Sequence, residues 1–191
     1  TFFKVVYRRH TNFSMECIEQ SINGTPVNGG KSSVTISRNG DLISKIYVTL
    51  NQGFVDTGSD IVSQVELEIG GQLIDRQDKE WNHIWWELTT PASKQLALKS
   101  MICDIGRRDD GDNSTMDVGL VQIPLNFWFC RNPGLALPLI ALQYHEVDLK
   151  FTWGSSHGGT ISAVKIVCDY IYLDTDERRR FAQVSHEYLI E

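Results

Sequence analysis

No apolar run in this 191-residue chain approaches the roughly 20 residues a helix needs to cross a bilayer, and no leader of the charged-then-apolar kind opens it. Membrane insertion is not expected. Basic charge is short: 18 Lys and Arg stand against 24 Asp and Glu, for a formal net charge of −6. A general grip on nucleic acid needs a basic face to displace counterions, so direct nucleic-acid binding is not expected. Cysteine is sparse and scattered. Cys17, Cys103, Cys130 and Cys168 form no CxxC pair, which excludes a zinc ribbon and does not read as a disulfide scaffold. Buried free thiols in a reducing compartment are the expectation. His10, His83, His145, His157 and His186 fall on different elements, with no HxH, HxxxH or HExxH spacing. A Walker loop and a GxGxxG are also missing. Neither metal, cofactor nor enzymatic activity is expected from such a set. Three glycosylation triplets begin at Asn12, Asn23 and Asn113, and matter only if the chain enters the secretory path.

What is present is alternation. Hydrophobic residues make up 41% and charged residues 22%, a normal globular balance. The stretch Gln122–Val147 organises the rest. Val121, Ile123, Leu125, Phe127 and Phe129 share one face at a period of two, which predicts a strand reaching Cys130. Pro124 confines that strand to an edge or a bulge. Arg131–Gly134 stops it, and Leu135–Leu142 reads as a buried crossing between sheets. Tyr144–Trp153 is the clearest strand, with His145, Val147, Leu149, Phe151 and Trp153 aligned. Val164–Tyr172 alternates in the same way.

Earlier in the chain, Phe2–Tyr7 is strand-like and closes on Arg8, Arg9 and His10. Asn12–Ile22, Ser33–Arg38 and Leu42–Leu50 are further strands, the last two joined by a predicted Asn39-Gly40 hairpin turn. Val62–Ile69 and Gln72–Arg76 form a second hairpin across Gly70-Gly71. In Asp78–Leu88 the period changes. Trp81, Ile84, Trp85 and Leu88 recur at helical spacing, with Asp78 as N-cap, so a helix seated on a sheet by that stripe is expected. A sugar platform of tryptophans is the rival reading. Ser93–Met101 continues as helical turns, and Gly106–Thr115 is an exposed loop. Asp174–Phe181 (DTDERRRF) is either a self-neutralising surface turn or a subunit contact. About eight strands, hairpin turns and one short helical insert define an all-β sandwich, most simply an eight-stranded jelly roll spanning residues 1–191.

The wording of several stretches then becomes specific. TFFKVVYRRHTNFSMECIEQ, VTISRNGDLI, VELEIGGQLID, IPLNFWFCRNPGLALPLIALQYHEV and DYIYLDTDERRRFAQVSHEYLIE resemble the major capsid proteins of the nucleocytoplasmic large DNA viruses. The likeness covers nearly the whole chain and departs at Gly53–Asp60 and Ser100–Met116. It implies the first half of a double jelly roll, with a short arm before Thr1 and a second roll after Glu191. It implies a homotrimer forming a pseudo-hexameric capsomer that tiles an icosahedral shell, with strands upright and long loops outward. Neighbouring capsomers and minor capsid proteins are the implied partners, and the virion, assembled in the host cytoplasm, is the implied location. Arg8, Arg9, Arg178, Arg179 and Arg180 are the expected interface residues, since arginine is favoured where subunits meet. A carbohydrate-binding or host-attachment jelly roll of a virion is the alternative function.

Overall fold

The structure, a computed structural model, describes residues 10–51, 58–103, 120–154 and 161–190. In chain order its elements begin with β1 (Phe13–Gln20), β2 (Ile22–Asn23), β3 (Lys31–Thr35) and β4 (Leu42–Asn51). A short α1 (Gly58–Ile61) precedes the hairpin of β5 (Val62–Ile69) and β6 (Gln72–Asp78), followed by α2 (Lys79–Thr89) and α3 (Ala92–Met101). Then come β7 (Leu120–Pro124), α4 (Trp128–Arg131), a 3-10 turn at Pro133–Leu135, and β8 (Leu137–Pro138). The chain finishes with β9 (Val147–Trp153), β10 (Ser162–Leu173) and α5 (Thr175–Gln183).

Two antiparallel sheets face each other. One runs β1-β10-β4-β7, with β8 also pairing β4; the other runs β2-β3-β9-β5-β6. With the two-residue β2 and β8 set aside, eight strands divide four and four, which is the jelly-roll sandwich expected from the alternation. The core is the seam between the sheets. Val147, Leu149, Phe151 and Trp153 of β9 meet Ile166, Cys168 and Tyr170 of β10 and Ile46, Val48 and Leu50 of β4, all buried. Each large side chain so enclosed contributes about 1.5–3 kcal/mol. Two polar tips inside the seam are satisfied: Trp153 Nε1 donates to Ser32 Oγ at 2.9 Å, and Tyr170 Oη donates to the Ser37 carbonyl at 2.6 Å.

The Asn39-Gly40 hairpin is not formed. Ile36 N donates to the Val147 carbonyl in one sheet, and Asp41 N donates to the Ile171 carbonyl in the other. The segment is therefore a corner between sheets. Glycine is required there by closeness, since a Cβ on Gly40 would lie 2.8 Å from Tyr170 Cβ. The Gly70-Gly71 hairpin does form, with φ of +60° and +78° as a type I′ turn demands.

The strand expected to reach Cys130 stops at Pro124. Pro124 lies on the edge strand β7, where its missing donor is tolerated. Leu125, Asn126, Phe127, Trp128 and Phe129 follow and are all buried, so they plug the end of the sandwich instead of alternating. The last strand but one starts at Val147, later than Tyr144, because the guanidinium of Arg38 holds the carbonyls of Leu142, Gln143 and His145 in a turn. The DTDERRRF segment is a helix, α5, and not the surface turn that was one of its two readings. Asp174 caps it by accepting from Glu177 N at 2.9 Å, and Asp176 and Glu177 sit in its first turn. The thiols are free, but Cys17 is exposed, against the expectation that all are buried.

Helix α2 begins at its predicted cap, with Trp81 N donating to Asp78 Oδ1 at 2.8 Å. Its inward face is the surprise. Asn82 and Trp86 are buried, whereas Ile84 is 50% and Leu88 81% exposed. The cause is polar: Trp86 Nε1 donates to Asn126 Oδ1 at 3.2 Å, and Asn126 Nδ2 donates to Asn82 Oδ1 at 2.8 Å. A buried amide must be satisfied, and only the Asn82/Trp86 face supplies partners.

Two outcomes follow. Asn126→Ala orphans groups on both Asn82 and Trp86 and is expected to cost about 1–3 kcal/mol in urea unfolding; an unchanged midpoint contradicts the network. Burial, ahead of the nearby charges, pushes the Tyr170 phenol up to about 12. An unfolded tyrosine ionises near 10, so folding stability should be intact below that pH and fall as pH rises from about 10 to 12. Tyr170→Phe should flatten that fall; an equally steep decline would rule Tyr170 out as its source.

Candidate functional site

The expected interface arginines have different fates. Arg8 and Arg9 lie outside the described residues. Arg178 is committed internally: its Nε meets Asp41 Oδ1 at 2.9 Å and its Nη2 donates to Asp41 Oδ2 at 3.0 Å. Asp41 Oδ2 also accepts from Leu173 N at 2.8 Å, and Asp41 is buried. One carboxylate thus ties the sheet-crossing corner, the end of β10 and helix α5 together, in the bidentate geometry that arginine suits. Arg180 points outward, with Glu177 at 3.7 Å as its intrahelical neighbour. Arg179 is exposed. The three arginines therefore divide into one internal brace and two outward charges.

Apolar surface is the second feature, and sequence reasoning missed most of it. On β1, Phe13 is 66% and Met15 55% exposed. They pair with Leu173 and Ile171, while Glu16 pairs with the core residue Tyr170. The apolar alternates of this edge strand thus face away from the seam, the reverse of what alternation suggests. Tyr144 stands 87% exposed on the turn that Arg38 braces. On α2, Ile84 and Leu88 are exposed, whereas Trp81 is half-buried and Trp85 packs half-buried against the core. The Arg131 guanidinium lies 3.9 Å from the centre of the Trp85 ring.

The tryptophans do not make an open platform. Trp86, Trp128 and Trp153 are buried, and Arg131 covers a face of Trp85. Among the described residues no group of three or more His, Cys, Asp or Glu side chains could hold a metal. A cleft between α2 and α3, beside Trp86, Leu98 and Lys99, encloses about 20 Å³, room for about one water. Cys130 is not poised for chemistry either, since burial pushes its thiol up to about 12. What the geometry offers is surface: a braced corner, outward charge on α5, and apolar faces on β1 and α2.

Two antiparallel sheets closed on one core in this order make a jelly-roll sandwich. Residues 1–174 match the family described as the major capsid protein N-terminus. Over its full length the chain is 52% identical to the major capsid protein of Pyramimonas orientalis virus and 42% identical to that of Paramecium bursaria Chlorella virus 1, covering 52% and 47% of those proteins. It also superposes with a TM-score of 0.82 and 42% identity on a chain of the PBCV-1 virus capsid, covering all of this chain and 49% of that one. The Faustovirus major capsid protein, at 11% identity and a TM-score of 0.61, shares the fold. The chain belongs to the major capsid protein family. It spans about half the length of the curated relatives it matches.

Asp41→Ala leaves Arg178 and the Leu173 amide without their acceptor and is expected to cost about 1–3 kcal/mol, the half-exposed arginine keeping the loss below that of a fully buried pair. Arg179→Ala is expected to stay within about 0.5 kcal/mol of the parent. Equal losses in the two variants, by chemical unfolding, would contradict the division between brace and surface.

Proposed function

We propose that the chain is the first roll of a two-roll major capsid subunit and that its work is mechanical. Three subunits, each with two rolls, close into a pseudo-hexameric capsomer, and capsomers tile an icosahedral shell. The partners are two further copies, neighbouring capsomers and minor capsid proteins. The place of action is the virion, after assembly in the host cytoplasm. The observation that carries the reading is the likeness along the whole chain, in sequence and in fold, to a chain of a virion capsid. The chain's coverage of about half of such relatives supports a second roll of similar size.

The physics of the described residues is in keeping with that role. Closed symmetric assembly needs repeated contacts between rigid surfaces. The seam between the sheets is fully packed, so the module can bear lateral load without deforming. Arg179 and Arg180, and with them Arg8 and Arg9, are proposed as rim contacts; Arg178 supports them by fixing α5 to the sandwich.

The test is native mass spectrometry of the full-length protein. A trimer of a polypeptide about twice this length is expected. The double variant Arg179→Glu, Arg180→Glu should shift mass from trimer to monomer while its circular dichroism and unfolding midpoint stay put. A wild-type protein that remains a monomer would contradict the trimer, and a variant trimer of unchanged abundance would remove the arginines from its rim.

A further inference from the structure

The nine residues of α5 are too few to hold a helix by themselves, since isolated helices shorter than about 12–15 residues are marginal in water. Asp174 secures its first turn, and the Asp41–Arg178 pair secures its middle. The last turn carries Arg180 and Phe181, and the carbonyls there have no partner further along the helix. The segment that follows supplies partners. Val184 N donates to the Arg180 carbonyl at 3.1 Å, and His186 Nε2 donates to the Phe181 carbonyl at 2.8 Å.

This following segment, Val184 to Ile190, joins neither sheet, yet its burial alternates. His186 and Tyr188 are half-buried, whereas Ser185, Glu187 and Leu189 are exposed. The inward rings form a ladder. Phe181 stacks on His186 with ring centres 5.5 Å apart, and His186 stacks on Tyr188 at 6.4 Å. Tyr188 leans on the buried Trp128 of α4, also at 6.4 Å, and its hydroxyl reaches the Ala136 carbonyl at 3.5 Å. The two ends of the ladder belong to different apolar bodies. Phe181 packs on the small cluster of Leu42, Ala136 and Ile171, and Tyr188 packs on the main core. An extended segment outside a sheet stays ordered only where it is tied down. Here the rings tie it to both bodies at once.

We infer that Val184–Tyr188 is a strap that holds the last turn of α5 against the plugged end of the sandwich, and that His186 and Tyr188 are positioning residues for the arginines α5 presents. The role in assembly rests on the reading of Arg179 and Arg180 as rim contacts; the grip on α5 does not. A side chain on a fraying turn must be ordered at the moment of contact, which lowers affinity, whereas on a clamped turn that ordering is already done. Arg180 immediately precedes Phe181, whose carbonyl His186 holds, so the strap acts on it through the main chain.

The test uses full-length protein carrying Tyr188→Ala or His186→Ala, both at half-buried positions outside the sheets. Hydrogen exchange followed by mass spectrometry should speed up about tenfold in the peptide spanning 180–186, as loss of a ring stack predicts for a local opening, while peptides of β9 and β10 keep their protection. Trimer dissociation on dilution, read by native mass spectrometry, should shift to several-fold higher protein concentration. Tyr188→Phe keeps the ring and loses only the long hydroxyl contact, and is expected to match the parent in both readouts. Unchanged exchange over 180–186 in Tyr188→Ala overturns the strap. A rise that spreads equally through β9 and β10 overturns it too, because Tyr188 is then an ordinary core residue. Faster exchange with an unmoved trimer removes the positioning role, provided that the Arg179→Glu, Arg180→Glu double variant weakens the trimer. If that double variant leaves the trimer unmoved as well, the rim reading fails, and the exchange result alone decides the strap.

Discussion

Everything in the molecule depends on one constraint: the inner faces of two sheets must close on each other without a gap. The strands that form the seam come from opposite ends of the chain. Phe13 pairs with Leu173 and Lys31 with Thr152, so neither sheet is complete until distant parts of the chain have met. Loop closure over such distances is costly and is offset only when the apolar faces interlock. Phe151 stacks on Trp153 with centres 5.4 Å apart, and Phe127 on Phe129 at 5.7 Å, which fills the seam and its end with rigid rings. Among the described residues the closed interior is lined by large apolar side chains.

That closure pushes specific chemistry to the outside. Buried polar groups are used as braces. Asp41 gathers the corner, β10 and α5; Asn126 fixes α2 through Asn82 and Trp86; Arg38 folds the turn ahead of β9. Each brace has satisfied partners, as polar groups in a low-dielectric interior require. The surfaces they hold in place carry what the interior cannot: exposed charge on α5, and apolar faces on β1 and α2. On the reading proposed above, those surfaces are where neighbouring bodies would meet.

Strand positions were legible because period two is local and the core faces are uninterrupted, as at Val147, Leu149, Phe151 and Trp153. The Gly70-Gly71 hairpin and the Asp78 cap were legible for the same reason, being set by residues within a few positions. The misreadings share a different cause. Asn39-Gly40 has hairpin chemistry, but β3 pairs with β9 and β4 with β10, each more than 100 residues away and in different sheets. Alternation placed Phe127 and Phe129 on a strand, although burial on every side makes a period uninformative. Asp174 and Glu177 carried a helix-start signal, and mixed charge obscured it. The α2 stripe misled most. Periodicity finds the apolar face of a helix but does not say whose core it faces, and the deciding pair, Asn82 and Asn126, looks like ordinary surface in sequence. The interface arginines were picked by composition alone, which cannot separate Arg178, tied to a buried acid, from Arg179 beside it.

The central claim is that this sandwich is a rigid block whose outer faces build a shell. A cryo-electron microscopy reconstruction of purified virions tests it most directly. The account predicts capsomers of pseudo-sixfold outline in which this roll fits as a single unaltered body, its strands standing near the shell normal. Capsomer density that cannot hold the roll without opening its two sheets, or shells from which the protein is absent, would contradict it.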